Sequence, residues 1–502
     1  MNDKNIHPII TFLSLALILA LLFIVMFLFP DKGIPIGSST LKFPTVSDFF
    51  LPKNNNDSLN KLEKDLAEIF DSTVVVSKID SAVIQHKLDS LKEFRKSLQI
   101  TPNGKSAMQR FFAALDNAKN QKVRIMHYGD SQIEADRITS FLRNELQNKF
   151  GGYGVGLFPI IQVAPKMSVN TEYSENWKRY TGFGVKDTNV IHKRYGALMN
   201  FSRFAPIPKS TVLSDSITYE GWVKIRKPKA SYGRTKTYSQ LKIFLSNSHT
   251  EIKYSITADG AEIKSGIITP NTPFQTLKAN FTSTPEEITI TFKGNDSPDI
   301  YGISLEGNTG IVMDNIPLRG CSGTIFTKQD ATLLSNMYAS LSPSLIIMEF
   351  GGNTIPYIDS DKAASDYGNW FQSQIYFMKK LNPNAAIIVI GPGDMSIKDK
   401  TEYVTYPYLE KVRDALKKAT LNTGCVFWDM YEVMGGKNSM PKWVTADPAL
   451  AASDYTHFTP KGAKKVAEEF NSKLFDMYDE YKHPDKKKEE KPKDKAINDS
   501  IQ

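Results

Sequence analysis

Short apolar runs alternate with amphipathic stretches in two separate parts of the chain. The apolar runs, each typical of a buried strand, lie at 123–129, 310–318, 344–350, 385–390 and 425–430. Apolar residues recur at helical spacing over 106–118, 138–150, 330–341, 363–381, 407–419 and 463–470. Apolar strands that alternate with helices predict a parallel sheet covered on both faces, with functional groups gathered at the carboxyl ends of its strands.

The pattern between about 160 and 309 is different, because apolar and polar residues alternate with period two. The clearest runs are 217–225, 241–245, 252–256, 274–281 and 288–292, and Asp259-Gly260 is a hairpin signal. Several short strands of this kind predict a β-sandwich inserted into the α/β fold. Whether this segment binds a glycan or is only a structural insertion stays open. Four of its aromatic residues are candidates for stacking on sugar rings, although Trp222 fits the sandwich core better: Trp177, Tyr180, Trp222 and Tyr232.

The segment Ile9–Phe29 is almost unbroken apolar. As a helix it would be roughly 30 Å long, which is enough to cross a bilayer. No small-x-small cleavage site follows it, so the pattern favours an uncleaved signal anchor. The rest of the chain is then expected outside the cytoplasm, in the periplasm if the source is a Gram-negative bacterium.

These patterns divide the chain into six parts. We expect a transmembrane helix at 1–30, a linker and helical spacer at 31–105, the first part of the α/β domain at 106–159, the β insertion at 160–309, the second α/β part at 310–480 and a disordered charged tail at 481–502.

Composition excludes several classes of protein. A hydrophobic content of 41% is ample for sizeable cores, and the formal net charge of +8 is modest for 502 residues. The two cysteines, Cys321 and Cys425, have neither disulfide-framework nor metal spacing. The Gly-rich stretch 151–156 follows a helix rather than joining a strand to one, so it does not predict a phosphate-binding loop. We expect no cofactor, no metal and no nucleic-acid partner.

Candidate chemistry begins at Gly129-Asp130-Ser131, where the first strand stops and a helical pattern starts directly afterwards. A serine at this turn would stand at the carboxyl end of a strand and the amino end of a helix, where developing negative charge is favoured. The alternative is that Asp130 or Ser131 only caps the helix.

A possible partner for Ser131 lies far downstream. Asp454 and His457 are three positions apart, just before a helix, so that the carboxylate can orient the imidazole while its other nitrogen faces a serine. Such a pair also arises by chance on protein surfaces. The side-chain amide of Asn353 follows the apolar strand 344–350 and can donate to an oxyanion, as can a backbone N–H in Ser322-Gly323-Thr324.

Gly-Asp-Ser131, the Gly323 block, Gly-Gly-Asn353 and Asp454-x-x-His457, in this order, resemble the SGNH (GDSL) hydrolase family. The resemblance implies a three-layer α/β/α fold and a triad of Ser131, His457 and Asp454. It also implies an oxyanion hole made by the N–H groups of Ser131 and Gly323 (or Gly320) and by the Asn353 side chain. Thr354 stands where the family usually has Asp.

The family acts on carboxyl esters through an acyl-enzyme. With an envelope anchor and a β insertion, the chain looks similar to bacterial polysaccharide and peptidoglycan O-acetylesterases. The leading expectation is therefore removal of O-acetyl groups from a cell-envelope glycan. Two alternatives stay open: an O-acetyltransferase that uses the same residues, and a non-catalytic glycan-binding protein.

Overall fold

A computed structural model of the protein describes residues 34–36, 39–41, 81–208, 217–271 and 273–484. The chain divides into two units, Met1–Asp80 and Ser81–Gln502. In the first unit, Ile34–Ile36 and Ser39–Leu41 pair as a short antiparallel hairpin. The predicted membrane segment Ile9–Phe29 and most of the predicted charged tail lie outside the described residues. Among the helices that are described, none is long and apolar enough to cross a membrane.

The strands are short and are numbered in chain order. They are β1 (Ile34–Ile36), β2 (Ser39–Leu41), β3 (Leu98–Gln99), β4 (Lys122–Gly129), β5 (Gly156–Phe158), β6 (Asn170–Tyr173), β7 (Lys178–Thr181), β8 (Asn200–Arg203), β9 (Tyr219–Arg226), β10 (Gln240–Ser246), β11 (Ile252–Ala258), β12 (Ala261–Ile268), β13 (Gln275–Asn280), β14 (Glu287–Gly294), β15 (Asp299–Glu306), β16 (Gly310–Pro317), β17 (Pro343–Glu349), β18 (Ala386–Ile390), β19 (Ser396–Asp399), β20 (Glu402–Thr405) and β21 (Val426–Trp428).

The helices are α1 (Ser81–Lys96), α2 (Pro102–Asp116), α3 (Thr139–Phe150), α4 (Gly233–Lys236), α5 (Ala331–Leu341), α6 (Asp361–Leu381), α7 (Leu409–Asn422), α8 (Met430–Met434), α9 (Ser439–Thr445) and α10 (Pro460–Lys482). Single turns of 3₁₀ helix lie at Phe326–Lys328 and Ile355–Tyr357, and a longer, kinked 3₁₀ segment spans Ser131–Asp136. The sequence predicts a long helix directly after Ser131, and this is wrong in detail. A kinked 3₁₀ segment comes first, with Ala135 at φ 55°, and α3 begins only at Thr139.

The centre of the second unit is a six-stranded sheet in the order β16-β4-β17-β18-β21-β3. Its first five strands are parallel, and β3 joins the edge antiparallel to β21. Apolar residues of α2, α3 and α10 pack on one face of the sheet. Residues of α5, α6 and α7 pack on the other. The predicted parallel sheet between two helical layers is confirmed.

The segment from β5 to β15 is built of two antiparallel sheets. One has the order β13-β10-β15-β8-β7 with β5 also on β15, and the other has the order β12-β11-β14-β9-β6. Side chains from both sheets share one apolar cluster, including Ile243, Ile303 and Ile290. Asp259 and Gly260, with φ of 48° and 84°, join β11 to β12 as the predicted hairpin. That the segment forms a separate inserted β-sandwich domain stays a prediction.

Several expectations from the sequence need correction. Strand β3 belongs to the parallel sheet, although the sequence pattern assigns residues up to 105 to a spacer. Helix α2, expected over 106–118, begins four residues earlier, at Pro102. Trp222, expected in a core, is 36% exposed, whereas Trp177 and Tyr180 are buried and unable to stack on a sugar.

The start of α10 packs against the backbone of the preceding loop, and we expect Gly462→Ala to destabilise the protein. A Cβ at Gly462 would lie 1.8 Å from the carbonyl oxygen of Leu450, so either the helix or the loop must move. Overpacking of this kind costs roughly 3 kcal/mol. Calorimetry should show a lower melting temperature for Gly462→Ala than for Lys461→Ala, a control at an exposed neighbouring position. Equal melting temperatures for the two variants would contradict this reading of the contact.

Candidate active site

The predicted site residues form a chain of two contacts at hydrogen-bond distance. Ser131 contacts His457, and His457 contacts Asp454. The Oγ of Ser131 is 2.8 Å from Nε2 of His457, across 326 positions of the chain. The Nδ1 of His457 is 2.7 Å from Oδ2 of Asp454. Strand β4 carries Ser131 to the carboxyl edge of the parallel sheet, and the loop before α10 brings the other two residues to the same edge.

The loop that carries Asp454 and His457 is held in a turn by its own carboxylate. Oδ1 of Asp454 accepts the backbone N–H groups of Thr456 and His457, both at 3.0 Å. Tyr455, between them, has φ of 55° in the left-handed region. The spacing of three positions is therefore what lets one carboxylate bind both the backbone of the turn and the imidazole ring.

A hairpin that the sequence analysis missed supports this turn from outside. Strands β19 and β20 pair with each other, and the ring of Tyr403 on β20 stacks on Tyr455 with centroids 3.5 Å apart. The N–H of Ser396 donates to the carbonyl oxygen of Tyr455 at 3.0 Å. A stacked aromatic pair between segments distant in sequence has no local signal, which is why the pattern did not reveal it.

Gln132 links the serine turn to the histidine loop. Its Nε2 donates to the carbonyl oxygen of Thr456 at 2.6 Å, and its Oε1 accepts the N–H of Phe458 at 3.4 Å. This residue was also missed, although it stands next to the serine in the Gly-Asp-Ser block.

Of the predicted oxyanion donors outside the serine turn, Asn353 lines the cavity and Gly323 does not. Asn353 lines the same cavity as Ser131 and His457, and its Nδ2 donates to Oδ2 of Asp130 at 2.9 Å. The N–H of Gly323 instead points at Sγ of Cys321 at 3.3 Å, and Gly323 is not among the residues that line the cavity. Gly323 has φ of 78°, and a Cβ there would lie 2.7 Å from the rings of Phe350 and Phe371. In this structure the glycine serves close packing rather than donation into the cavity.

The cavity has a volume of about 270 Å³. Its walls come from the ends of β4, β17 and β18 and from the histidine loop, and they include Asp130, Ser131, Glu349, Asn353, Tyr357, Gly393, Tyr406 and His457. Within the described part of the chain, no group of three or more His, Cys, Asp or Glu side chains is arranged to hold a metal ion.

Part of the chain is similar to a known family. Residues 288–491 match the model of the GDSL-like lipase/acylhydrolase family. The matched range contains Asn353, Asp454 and His457, whereas Ser131 lies before it. Residues 288–491 thus resemble a GDSL-like acylhydrolase domain, whose class of reaction is the hydrolysis of carboxyl esters.

Solved structures with the same fold include a peptidoglycan O-acetylesterase, with 19% identity and a TM-score of 0.58 over 76% of this chain and 99% of that one. A family two carbohydrate esterase from Clostridium thermocellum, solved with cellohexaose, has 10% identity and a TM-score of 0.24, over 53% of this chain and 96% of that one. A search of curated protein sequences gives no match.

The protein holds a cluster of buried ionisable groups behind Ser131. Asp130 is 5% exposed, and burial, with a smaller contribution from the negative charge of Glu349, raises its pKa to about 7. Oε2 of Glu349 lies 3.1 Å from Nε2 of His127, whose Nδ1 lies 3.0 Å from Oγ1 of Thr139. His127 is thus fully engaged within the core, as expected for a structural rather than a catalytic histidine.

Two further groups define the electrostatics of the site. Burial alone would raise the pKa of Asp454, but the hydrogen bonds from the backbone and ring of His457 and from the backbone of Thr456 outweigh it, and the pKa lies below its usual value. Burial raises the pKa of the Cys321 thiol to about 11. Cys321 therefore stays a neutral thiol at physiological pH, which agrees with a packing role and argues against a cysteine nucleophile.

We expect Asp130→Asn to alter how stability depends on pH. Because the pKa of Asp130 is raised to about 7, the folded state holds a proton that the unfolded state has already released. This contribution to stability is complete below the unfolded pKa and is lost as the pH rises through about 7. The melting temperature of the wild type, relative to Asp130→Asn, should therefore fall between about pH 5 and pH 8.

Asp187→Asn serves as the control. Hydrogen bonds from Lys178 and Asn189 hold the pKa of Asp187 below its usual value, so this carboxyl stays ionised over the whole range. The difference in melting temperature between Asp187→Asn and the wild type should therefore not change with pH. If the difference for Asp130→Asn does not change with pH either, Asp130 does not titrate in this range.

Proposed function

We propose that the protein is a serine esterase that removes O-acetyl groups from a cell-envelope glycan. The observation that carries this proposal is the unbroken chain of hydrogen-bond distances from Ser131 Oγ through the imidazole of His457 to Asp454. A serine, an imidazole and a carboxylate in this order form the arrangement that activates a hydroxyl for attack on an ester.

In the proposed mechanism, Asp454 accepts the Nδ1 proton of His457 in a hydrogen bond and leaves Nε2 free to act as base. His457 takes the proton of Ser131 as Oγ attacks the acetyl carbonyl. The tetrahedral intermediate collapses to an acetyl-serine, and His457 returns the proton to the departing sugar oxygen. Water, deprotonated by His457, then attacks the acetyl-serine to release acetate and restore the serine.

Asn353 and the N–H of Ser131 are the proposed oxyanion donors. Nδ2 of Asn353 carries two hydrogens. One is committed to Asp130, and the other faces the carbonyl oxygen of Cys321 only at 3.4 Å, beyond a good hydrogen-bond length. The bond to Asp130 would therefore orient the amide while leaving it able to donate to an oxyanion.

The choice of a short acyl group and a glycan rests on two supports. A cavity of about 270 Å³ suits an acetyl group and part of one sugar better than a long acyl chain. The fold is shared with a structure that is itself described as a peptidoglycan O-acetylesterase. We also propose that the apolar segment Ile9–Phe29 anchors the enzyme to a membrane, with the catalytic part outside the cytoplasm.

Acetate release from O-acetylated glycan oligomers tests the proposal. Ser131→Ala should reduce release to the uncatalysed level, because no other hydroxyl is paired with the imidazole of His457 in the described residues. Cys321→Ala is the matched control and should retain most of the activity. Acetate release that survives in Ser131→Ala would rule out the proposed nucleophile.

The same assay separates hydrolysis from transfer. An esterase should release acetate at a rate that an added unacetylated oligosaccharide does not increase. A transferase should move the acetyl group to the added sugar, which mass spectrometry would detect as an acetylated acceptor.

Asn353→Ala is expected to lower kcat by about a hundred- to a thousandfold, with a much smaller effect on KM. The reason is that the proposed amide donor binds charge that appears only in the transition state. Steady-state kinetics on a short acyl ester measures both constants, and Asn369→Ala, at an exposed position on α6, is the control. A rise in KM with unchanged kcat would assign Asn353 to substrate binding instead.

A further inference from the structure

Two adjoining cavities lie beside the active site. They are found where the helices on the parallel sheet face the antiparallel sheets. Their volumes are about 670 Å³ and 560 Å³, and both are lined by Met167 and Ala230. We call the two together the basic furrow. Its lining includes six basic residues and no acidic one: Arg137 and Lys464 in the first cavity, and Lys166, Arg226, Lys227 and Lys229 in the second.

The furrow begins next to the proposed triad. Phe458 lines the first cavity and directly follows His457, which lines the active-site cavity. The guanidinium of Arg137 donates to the carbonyl oxygens of Phe458 at 3.2 Å and Glu134 at 3.1 Å. The furrow therefore begins one residue along the chain from the histidine of the active-site cavity.

The positive charge of the furrow is only partly compensated. Among the described residues, neither Arg137 nor Lys229 forms an ion pair with a carboxylate, and Lys229 is exposed. Lys464 has only the exposed Glu468, at 3.5 Å. The remaining members are engaged: Arg226 with Glu172 and Glu287, Lys227 with Glu286, and Lys166 with the carbonyl oxygen of Asn315.

The first cavity also offers apolar surface of the kind that a sugar ring covers. Tyr232 and Met167 are 37% and 53% exposed, and Phe141 lies opposite with the ammonium of Lys464 6.0 Å from its ring centre. Exposed aromatic faces beside cationic groups suit a ligand that combines pyranose rings with negative charge.

From these observations we propose that the basic furrow binds a carboxylate-bearing stretch of the same glycan chain whose acetyl group is held at Ser131. The inference rests on the proposed function and adds the class of substrate: an acidic, acetylated polysaccharide rather than a neutral one. The lining charges favour an anionic ligand, and two adjoining cavities that begin beside the histidine loop favour an extended one. The furrow raises the local concentration of such a chain beside the nucleophile.

Two forms of one oligomer test the inference on the full chain. The probes are an O-acetylated oligogalacturonide and the same oligomer with its carboxylates converted to neutral methyl amides. The wild type should deacetylate the charged form with the higher kcat/KM, and the advantage should shrink as salt screens the furrow.

The charge-reversal variant Lys229→Glu/Lys464→Glu should lower kcat/KM on the charged oligomer about tenfold. It should leave the neutral oligomer and p-nitrophenyl acetate unaffected, because neither change touches the proposed triad. Lys465→Glu is the matched control, since Lys465 is exposed on the same helix and does not line the furrow. Equal kcat/KM on the two oligomers, or equal losses in the variant and the control, would overturn the inference.

A direct binding measurement distinguishes failure of the furrow inference from failure of the proposed function. Calorimetry with the unacetylated acidic oligomer should show weaker binding to the double variant than to Lys465→Glu, whether or not acetate is released. If p-nitrophenyl acetate is cleaved but neither oligomer is, glycan deacetylation is wrong. If both oligomers are cleaved but the acidic one binds the wild type, the double variant and Lys465→Glu equally, only the inference about the furrow is wrong.

Discussion

Strand β4 is hydrogen-bonded along its length to β16 on one side and to β17 on the other, and the arrangement of the site depends on this pairing. Gly129, the last residue of β4, lies opposite Pro317 and Glu349. The three strands therefore end at the same edge, so that Ser131, the turn containing Cys321 and Asn353 meet there. A shift of the register by one residue would turn every side chain of β4 to the opposite layer.

The opposite end of β4 ties the parallel sheet to the antiparallel sheets. Arg124 is fully buried and binds Asp314 on β16 and Glu306 on β15. Lys122 reaches the same Glu306 at 2.6 Å. Removing one partner of such a buried network leaves an uncompensated charge, which typically costs 3–5 kcal/mol. These charged contacts therefore fix strand β4 against both β16 and β15.

The carboxyl edge of the sheet contains its own unusual feature, a pair of buried carboxylates. Asp130 and Glu349 both line the active-site cavity, and Oε1 of Glu349 is buried without a hydrogen-bond partner in the described residues. Burial and, to a smaller extent, the negative charge of Glu349 raise the pKa of Asp130 to about 7. The oxyanion candidate Asn353 is therefore held by a carboxyl group whose pKa is close to neutrality.

The sequence by itself determined the class of fold and the candidate residues of the site. Periodicity was enough for the parallel sheet, the helical layers and the β-rich segment, because it reports which faces are buried. The short motifs at Ser131, Asn353 and Asp454–His457 carried the resemblance because their chemistry is local. The family model reaches only residues 288–491, so the serine was recognised from its own turn rather than from that match.

Only the tertiary structure decided which of these residues meet and what supports them. In the tertiary structure, Gly323 contacts Cys321 and two phenylalanine rings, and Tyr403 stacks on Tyr455. Trp222 is partly exposed, and β3 joins the parallel sheet. Each of these is a contact between segments far apart in the chain, and residue pattern contains no information on such contacts. The physical reason is that burial is set by which surfaces pack together, whereas periodicity specifies only that a surface must be covered.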